Sequence, residues 1–419
     1  MRLSKVLTNT IFLLGSQIYT RFAGALFFFI AARFLGVSTF GTYTLILTFL
    51  SFFYIFSDWG LSTLTIRDLA RSPSDTKDYL IHTIPLRFII ALFSYIILLI
   101  LVLVLAYPKE IIVLVCIAGL SILTNTAIGS LNAVFSSQEK MHIPAIIGII
   151  FSTTYITTGA LALFLNCGLL TLMIIMVFLG VVNVLTTAFI LRKILFPFKL
   201  SFDLAFYKKL LKESTPYAIL SALSIIYFRA DTIILSKLTT MTDVGIYNSA
   251  YKIVDFLMFL PICYMGAVFP QMSRQNTYSK YQLQQTYWKT TKFLAIFILP
   301  VAIIFTIFSK QMITILFGKS FIPASSALQI LIWGVVVMYI NAPAGNILYS
   351  SNKMYKFIPY AILNTFLNII LNFIFIPRWG YIGASITTLI TEITGFIWQI
   401  WLVKTILFSK EPPTRTTNK

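Results

Sequence analysis

Runs of about 20 apolar residues recur along the whole chain, separated by short stretches that gather most of the charge. Twenty apolar residues are what a helix needs to cross a bilayer, and far more than a buried strand uses. The pattern predicts spanning helices at residues 10–32, 41–65, 80–106, 111–135, 143–165, 169–191, 216–238, 244–269, 291–308, 324–350, 357–376 and 381–407, with polar interruptions in the seventh and eighth. The expected fold class is an all-α polytopic membrane protein of about 12 transmembrane helices, with no room for a soluble catalytic domain.

Three segments recur at matching places in the two halves. Residues 33–43 (RFLGVSTFGTY) resemble residues 236–247 (SKLTTMTDVGIY), Gly41 and Tyr43 aligning with Gly245 and Tyr247 at an offset of 204. Residues 136–141 (SSQEKM) resemble 350–354 (SSNKM), and Asn166-Cys167-Gly168 resembles Arg378-Trp379-Gly380. The order suggests a duplicated six-helix unit. The expected division is a first lobe over 1–191, a basic linker over 192–215, a second lobe over 216–408 and a short disordered tail over 409–419. Six spans return the chain to its starting side, so the repeats are parallel, an arrangement of alternating-access transporters with a central cavity between lobes.

Composition agrees: 58% of the 419 residues are hydrophobic and 11% charged. The net charge of +19 reads as a topology signal and as contact with anionic membrane lipids rather than nucleic acid. Of 32 lysines and arginines, Arg33, Lys109, Lys237, Lys310, Lys319 and Arg378 fall on one side, four lie deep in spans, and the remaining 22 fall on the side of the N-terminus. That bias places both termini in the cytoplasm. The first run starts after nine residues, carries Arg21 and lacks a small-residue cleavage site, so it reads as a retained helix. Lysines and aromatics interleave in the linker (Phe196, Phe198, Phe202, Phe206, Tyr207), which suggests an amphipathic interfacial segment. Cys116, Cys167 and Cys263 have neither disulfide nor metal spacing, and His82 and His142 are too far apart in sequence to claim a metal site.

Ionisable groups inside a membrane are costly and so are paired or functional. Arg21, Arg87, Arg229 and Lys252 stand against Asp58, Asp231, Asp255 and Glu392. At 1.5 Å per residue, Asp58 and Arg87 both lie roughly 7 to 9 Å toward the cytoplasm, and Asp231 and Lys252 roughly 6 to 7 Å toward the outside. Matched depth suggests the structural ion pairs Asp58–Arg87 and Asp231–Lys252. Arg21 sits near the midplane with no acid at its depth in the neighbouring helices. Either an amide or carbonyl satisfies it, or it grips an anion bidentately. Arg21, Arg229 and Lys252 are the candidate anion-binding residues. Asp255 and Glu392 are the candidates for coupling to a proton or sodium gradient, either as titrating groups or as structural carboxyls.

Residues 33–43, Asp58-Trp59-Gly60-Leu61, Arg229-Ala230-Asp231 through Gly245-Ile246-Tyr247, and 380–392 together resemble polysaccharide biosynthesis flippases of the Wzx type, in the multidrug/oligosaccharidyl-lipid/polysaccharide (MOP) exporter superfamily. The resemblance implies two six-helix lobes around a central cavity, in the bacterial inner membrane. It also implies passage of a polyprenyl-diphosphate-linked oligosaccharide, such as an O-antigen, capsule or exopolysaccharide unit, to the outer leaflet, where polysaccharide polymerase machinery would take it over. Four intramembrane cations balanced by four acids favour a weakly charged sugar unit. The rivals are a cation-coupled multidrug exporter, which would prefer an acidic cavity, a peptidoglycan-precursor flippase, which generally has extra helices, and a membrane polymerase or ligase. The longest outside loop, 309–323, has no carboxylate or histidine for an enzyme, no Gly-rich phosphate loop follows a strand, and no cofactor or metal is expected.

Overall fold

The computed structural model describes residues 2–71, 76–137, 140–195, 201–351 and 354–407. Among the described residues every long element is helical, and ten helical stretches are long and apolar enough to cross a membrane. Helix α1 (Arg2–Asp58) is 57 residues long and α14 (Ile358–Leu407) is 50, each far longer than the roughly 30 Å hydrocarbon core at 1.5 Å per residue. Each holds two helices joined at a glycine, Gly36 (φ 73°) in α1 and Gly380 (φ 56°) in α14. Both angles lie where a Cβ is disfavoured, so the chain turns there.

Two compact units divide the chain, Met1–Arg229 and Ala230–Lys419. In the first, α1 packs against α3 (Thr76–Val104), α5 (Ser121–Ser137) and α6 (His142–Phe164). Short α2 (Leu61–Arg71) lies between α1 and α3, α4 (Lys109–Gly119) leads into α5, and α7 (Gly168–Leu195) packs on α4, α5 and α6. Helix α8 (Leu204–Leu238) begins in this unit and ends in the next. In the second unit α13 (Ala324–Ser350) is central, surrounded by α9 (Met241–Leu257), α10 (Phe259–Tyr278), α11 (Lys280–Ile307), α12 (Ser309–Phe317) and α14.

Three boundaries differ from the sequence reading. The second span ends at Asp58 rather than residue 65, because Trp59 (φ 47°) and Gly60 (φ 72°) turn the chain before α2 starts. The seventh helix starts at Leu204, so the later half of the expected linker is its first three turns. The eighth extends to Tyr278 through the α9–α10 junction. The 409–419 tail, Phe196, Phe198 and Lys353 lie outside the described residues.

Candidate functional site

Within the first unit, α1 brings Gln17, Tyr19 and Arg21 to one exposed stretch of a spanning helix, and the Tyr19 hydroxyl lies 2.6 Å from Thr153 Oγ1 on α6. Arg21 has interacting neighbours, so it is not an isolated cation. An exposed guanidinium within a span is cheap only where water reaches it.

Arg87 is 1% exposed on α3. Its Nη1 lies 3.5 Å from Asp58 Oδ1 and donates to Ser62 Oγ at 3.2 Å, while Nη2 donates to Thr65 Oγ1 at 3.2 Å. Asp58 in turn accepts from the Ser62 hydroxyl and, at 3.3 Å, from the Ser62 N–H. A buried cation needs such supplementary hydrogen bonds, because one ion pair does not offset desolvation. His82 is also satisfied locally, its Nδ1 lying 3.2 Å from the carbonyl of Ser201, and the His142 ring stands 6.4 Å from that of Phe12.

The second unit holds a buried polar network. Asp231, 2% exposed on the last turns of α8, accepts from the Tyr247 hydroxyl and from the Thr232 N–H at 2.7 Å. Tyr247 comes from α9, and its hydroxyl lies 3.3 Å from Thr388 Oγ1 on α14. Thr232 Oγ1 donates to Asn248 Oδ1 at 3.4 Å. One turn beyond Thr388, an amide ladder crosses the two halves of α14. Asn364 Nδ2 donates to the Thr391 carbonyl (3.2 Å), Asn368 Nδ2 to Thr391 Oγ1 (3.3 Å) and Asn372 Nδ2 to Asn368 Oδ1 (3.0 Å), while Thr394 Oγ1 donates to Asn364 Oδ1 (2.9 Å). Two buried oxygens of this ladder, Asn372 Oδ1 and Thr387 Oγ1, have no hydrogen-bond partner among the described residues.

Lys252 and Asp255 are half-buried on α9, Glu392 is buried on α14, and Arg229 is half-buried on α8; each interacts with neighbouring groups. No cluster of three or more His, Cys, Asp or Glu side chains with metal-binding proximity occurs among the described residues. Sequence reasoning named Tyr247 only as a repeat and family match and gave no role to Thr387, Thr388, Thr391 or the asparagines. The signal was present in Asn364, Asn368 and Asn372, spaced four apart and so on one face of an apolar helix.

The sequence profile of the polysaccharide biosynthesis protein family matches residues 6–276. The chain belongs to the polysaccharide biosynthesis protein family. A second profile, MatE, matches residues 216–374, and both place the chain in the MOP superfamily. Among curated proteins it is 28% identical over 236 residues to an uncharacterized membrane protein of Methanocaldococcus jannaschii, covering 55% of this chain and 46% of that one. It is 25% identical over 174 residues to a probable low-salt glycan biosynthesis flippase of Haloferax volcanii, covering 41% and 37%. The matches thus span less than half the length of either relative. Among solved structures, the fold is similar to lipid II flippase MurJ in an inward closed conformation, with TM-score 0.80, 18% identity and coverage of 94% of this chain and 88% of that one. It is also similar to an inward-facing multidrug resistance MATE family transporter, with TM-score 0.73, 14% identity and coverage of 94% and 96%. The family member described here therefore has a transporter and flippase fold rather than that of an enzyme.

Proposed function

We propose that this protein moves a polyprenyl-diphosphate-linked oligosaccharide from the cytoplasmic to the outer leaflet of the cell's cytoplasmic membrane. The reading includes twelve spans, two parallel six-helix lobes, cytoplasmic termini and alternating access around a water-filled cavity. Its carrying observation is Arg21, an arginine exposed within a spanning helix of a polysaccharide biosynthesis protein. A guanidinium matches the paired oxygens of a diphosphate. In this reading Arg21 and Arg229, with Lys252, hold the diphosphate, and the tyrosines and amides of the spans face the sugars. The glycan flippase named among the relatives supports this class of cargo.

The matching MatE profile favours a second reading of the same fold, a cation-coupled exporter of small molecules. Both readings leave room for a coupling ion. Asp231 is one buried carboxylate that could take a proton, and Asn372 and Thr387 supply buried oxygens with no hydrogen-bond partner among the described residues. Asp255 and Glu392 are further candidates for that proton. Deleting the gene separates the two readings: accumulation of one lipid-linked glycan in the inner leaflet supports the flippase, and unchanged lipid-linked glycans with lost drug tolerance supports the exporter.

A further inference from the structure

The stem of α8, residues 204–215, is covered on one side and open on the other. Tyr207 and Leu210 are buried in one apolar cluster with Leu61 and Leu64 of α2 and Leu86 of α3, and Ser214, one turn on, is buried as well. The stem then crosses the Trp59–Gly60 turn at close range. A Cβ on Gly60 would stand 2.7 Å from Tyr217 Cβ and 2.9 Å from the Ser214 carbonyl, closer than atoms approach, so this joint requires glycine. On the opposite side Leu204, Lys208 and Lys212, spaced four apart, form one stripe with Lys209 at its edge. All four are exposed.

Two contacts set the height of this stripe. The Ser201 N–H donates to the Ile81 carbonyl at 3.5 Å, and the Ser201 carbonyl lies 3.2 Å from His82 Nδ1. Ile81 opens the apolar span of α3, so the stem starts level with a membrane boundary and runs beside the first turns of that span. Phe202 and Leu204, at the boundary, are 72% and 70% exposed. Large apolar side chains held outward at that level suit lipid rather than water. Side chains on a helix lean toward its N-terminus, here back toward the boundary, so the lysine tails carry their ammonium groups toward the headgroups.

The acids of the stem do not neutralise these lysines. Asp203 Oδ1 accepts the N–H groups of Ala205 and Phe206 at 2.9 and 3.1 Å, closing the start of the helix. Glu213 Oε2 accepts from Arg67 Nη2 on α2 at 2.7 Å. Among the described residues no ion pair engages Lys208, Lys209 or Lys212. Three cations thus share one face beside two outward apolar side chains.

We propose that this stripe is a binding site for an anionic phospholipid, whose phosphate is held by Lys208, Lys209 and Lys212 beside Phe202 and Leu204. Because the stripe is exposed along its length, it reads charge and offers nothing to enclose a glycan, so the ligand is a membrane phospholipid rather than the cargo. The site depends on the membrane-spanning fold and not on the cargo proposed above, so failure of either leaves the other standing.

The test places a fluorescent thiol label on Ala205→Cys, in full-length protein whose Cys116, Cys167 and Cys263 are replaced. The protein is reconstituted in phosphatidylcholine vesicles containing a small fraction of spin-labelled phosphatidylglycerol or, for comparison, spin-labelled phosphatidylcholine. Each basic residue near an anionic lipid surface contributes a severalfold gain, so half-quenching should need roughly tenfold less of the anionic quencher, and this preference should fall as salt rises. Exchange of Lys208, Lys209 and Lys212 for Gln should abolish the preference at unchanged protein level, whereas Lys289→Gln with Lys292→Gln on α11 should leave it. Equal quenching by the two lipids, a preference indifferent to salt, or a preference that survives the three exchanges overturns the site. Quenching by neither lipid places the face in water, open to a protein or nucleic acid, and also overturns it. Relief of quenching by a trace of polyprenyl diphosphate, but not by an equal amount of unlabelled phosphatidylglycerol, would give the stripe to the cargo and overturn the phospholipid assignment.

Discussion

Asn372 donates through Nδ2 to Asn368 Oδ1 at 3.0 Å, one helical turn away, while its own buried Oδ1 accepts no hydrogen bond among the described residues. Leaving a buried amide oxygen unmet costs about 1–3 kcal/mol, so a group that fills the site would recover that energy. If the occupant is sodium, the purified protein should unfold at higher temperature as sodium rises at constant ionic strength, and Asn372→Leu should lose the effect. Thermal unfolding in sodium against choline chloride checks this. Equal unfolding temperatures in the two salts would remove sodium from the account and leave the proton.

The buried Arg87 makes a different prediction. Asp58 is partly open, with 36% of its side chain accessible, whereas that of Arg87 is 2% accessible. Removing the acid strands a buried cation, while removing the cation leaves an acid that water can reach. Asp58→Ala should therefore destabilise by about 3 kcal/mol, and Arg87→Met by clearly less. Thermal unfolding of the two variants measures the order, and a larger loss for Arg87→Met would mean that the carboxylate is the more costly group to leave.

These two sites show how far the sequence can be read. Long apolar runs reveal spans because backbone polar groups in hydrocarbon must be satisfied within a helix. A rare charge in such a run is conspicuous, which is why Asp58, Arg87 and Asp231 are found without coordinates. The helix end at Asp58 is not legible, because it depends on Trp59 adopting a positive φ that tryptophan seldom takes. Nor is the joint at Gly60, which exists only because a helix more than 150 residues later crosses it. The asparagine ladder of α14 has a readable spacing, but neutral amides do not stand out in a search for charge.

Topology can be tested directly. The excess of basic residues on one side predicts that Lys208 and the C-terminal segment are cytoplasmic. Lys208 is exposed on the stem of α8, so a cysteine there is reachable. An impermeant thiol reagent added to intact cells should leave Lys208→Cys unlabelled and should label it after the membrane is opened. Labelling in intact cells would invert the proposed arrangement of the spans.

Arg21 and Arg229 should matter to cargo more than to folding. One charge-assisted contact contributes about 1.5–3 kcal/mol, so Arg→Ala at either position should reduce translocation roughly tenfold or more at normal protein level. Arg→Lys should rescue in part, because a point charge cannot make the bidentate contact. Surface-glycan production beside membrane protein levels, in cells lacking the native gene, is the measurement. Glycan output that is normal in both alanine variants would assign these arginines to the structural network instead.

The central claim is that the cargo is a diphosphate-linked glycan lipid, and the most direct measurement uses purified protein in vesicles carrying a labelled polyprenyl-diphosphate oligosaccharide. An impermeant sugar-oxidising reagent reports the fraction of glycan in the outer leaflet over time. The account predicts that the accessible fraction rises beyond its starting value only in vesicles containing the protein, and rises much more slowly with Arg21→Ala. Glycan that stays inaccessible beside active efflux of a cationic drug from the same vesicles would contradict it.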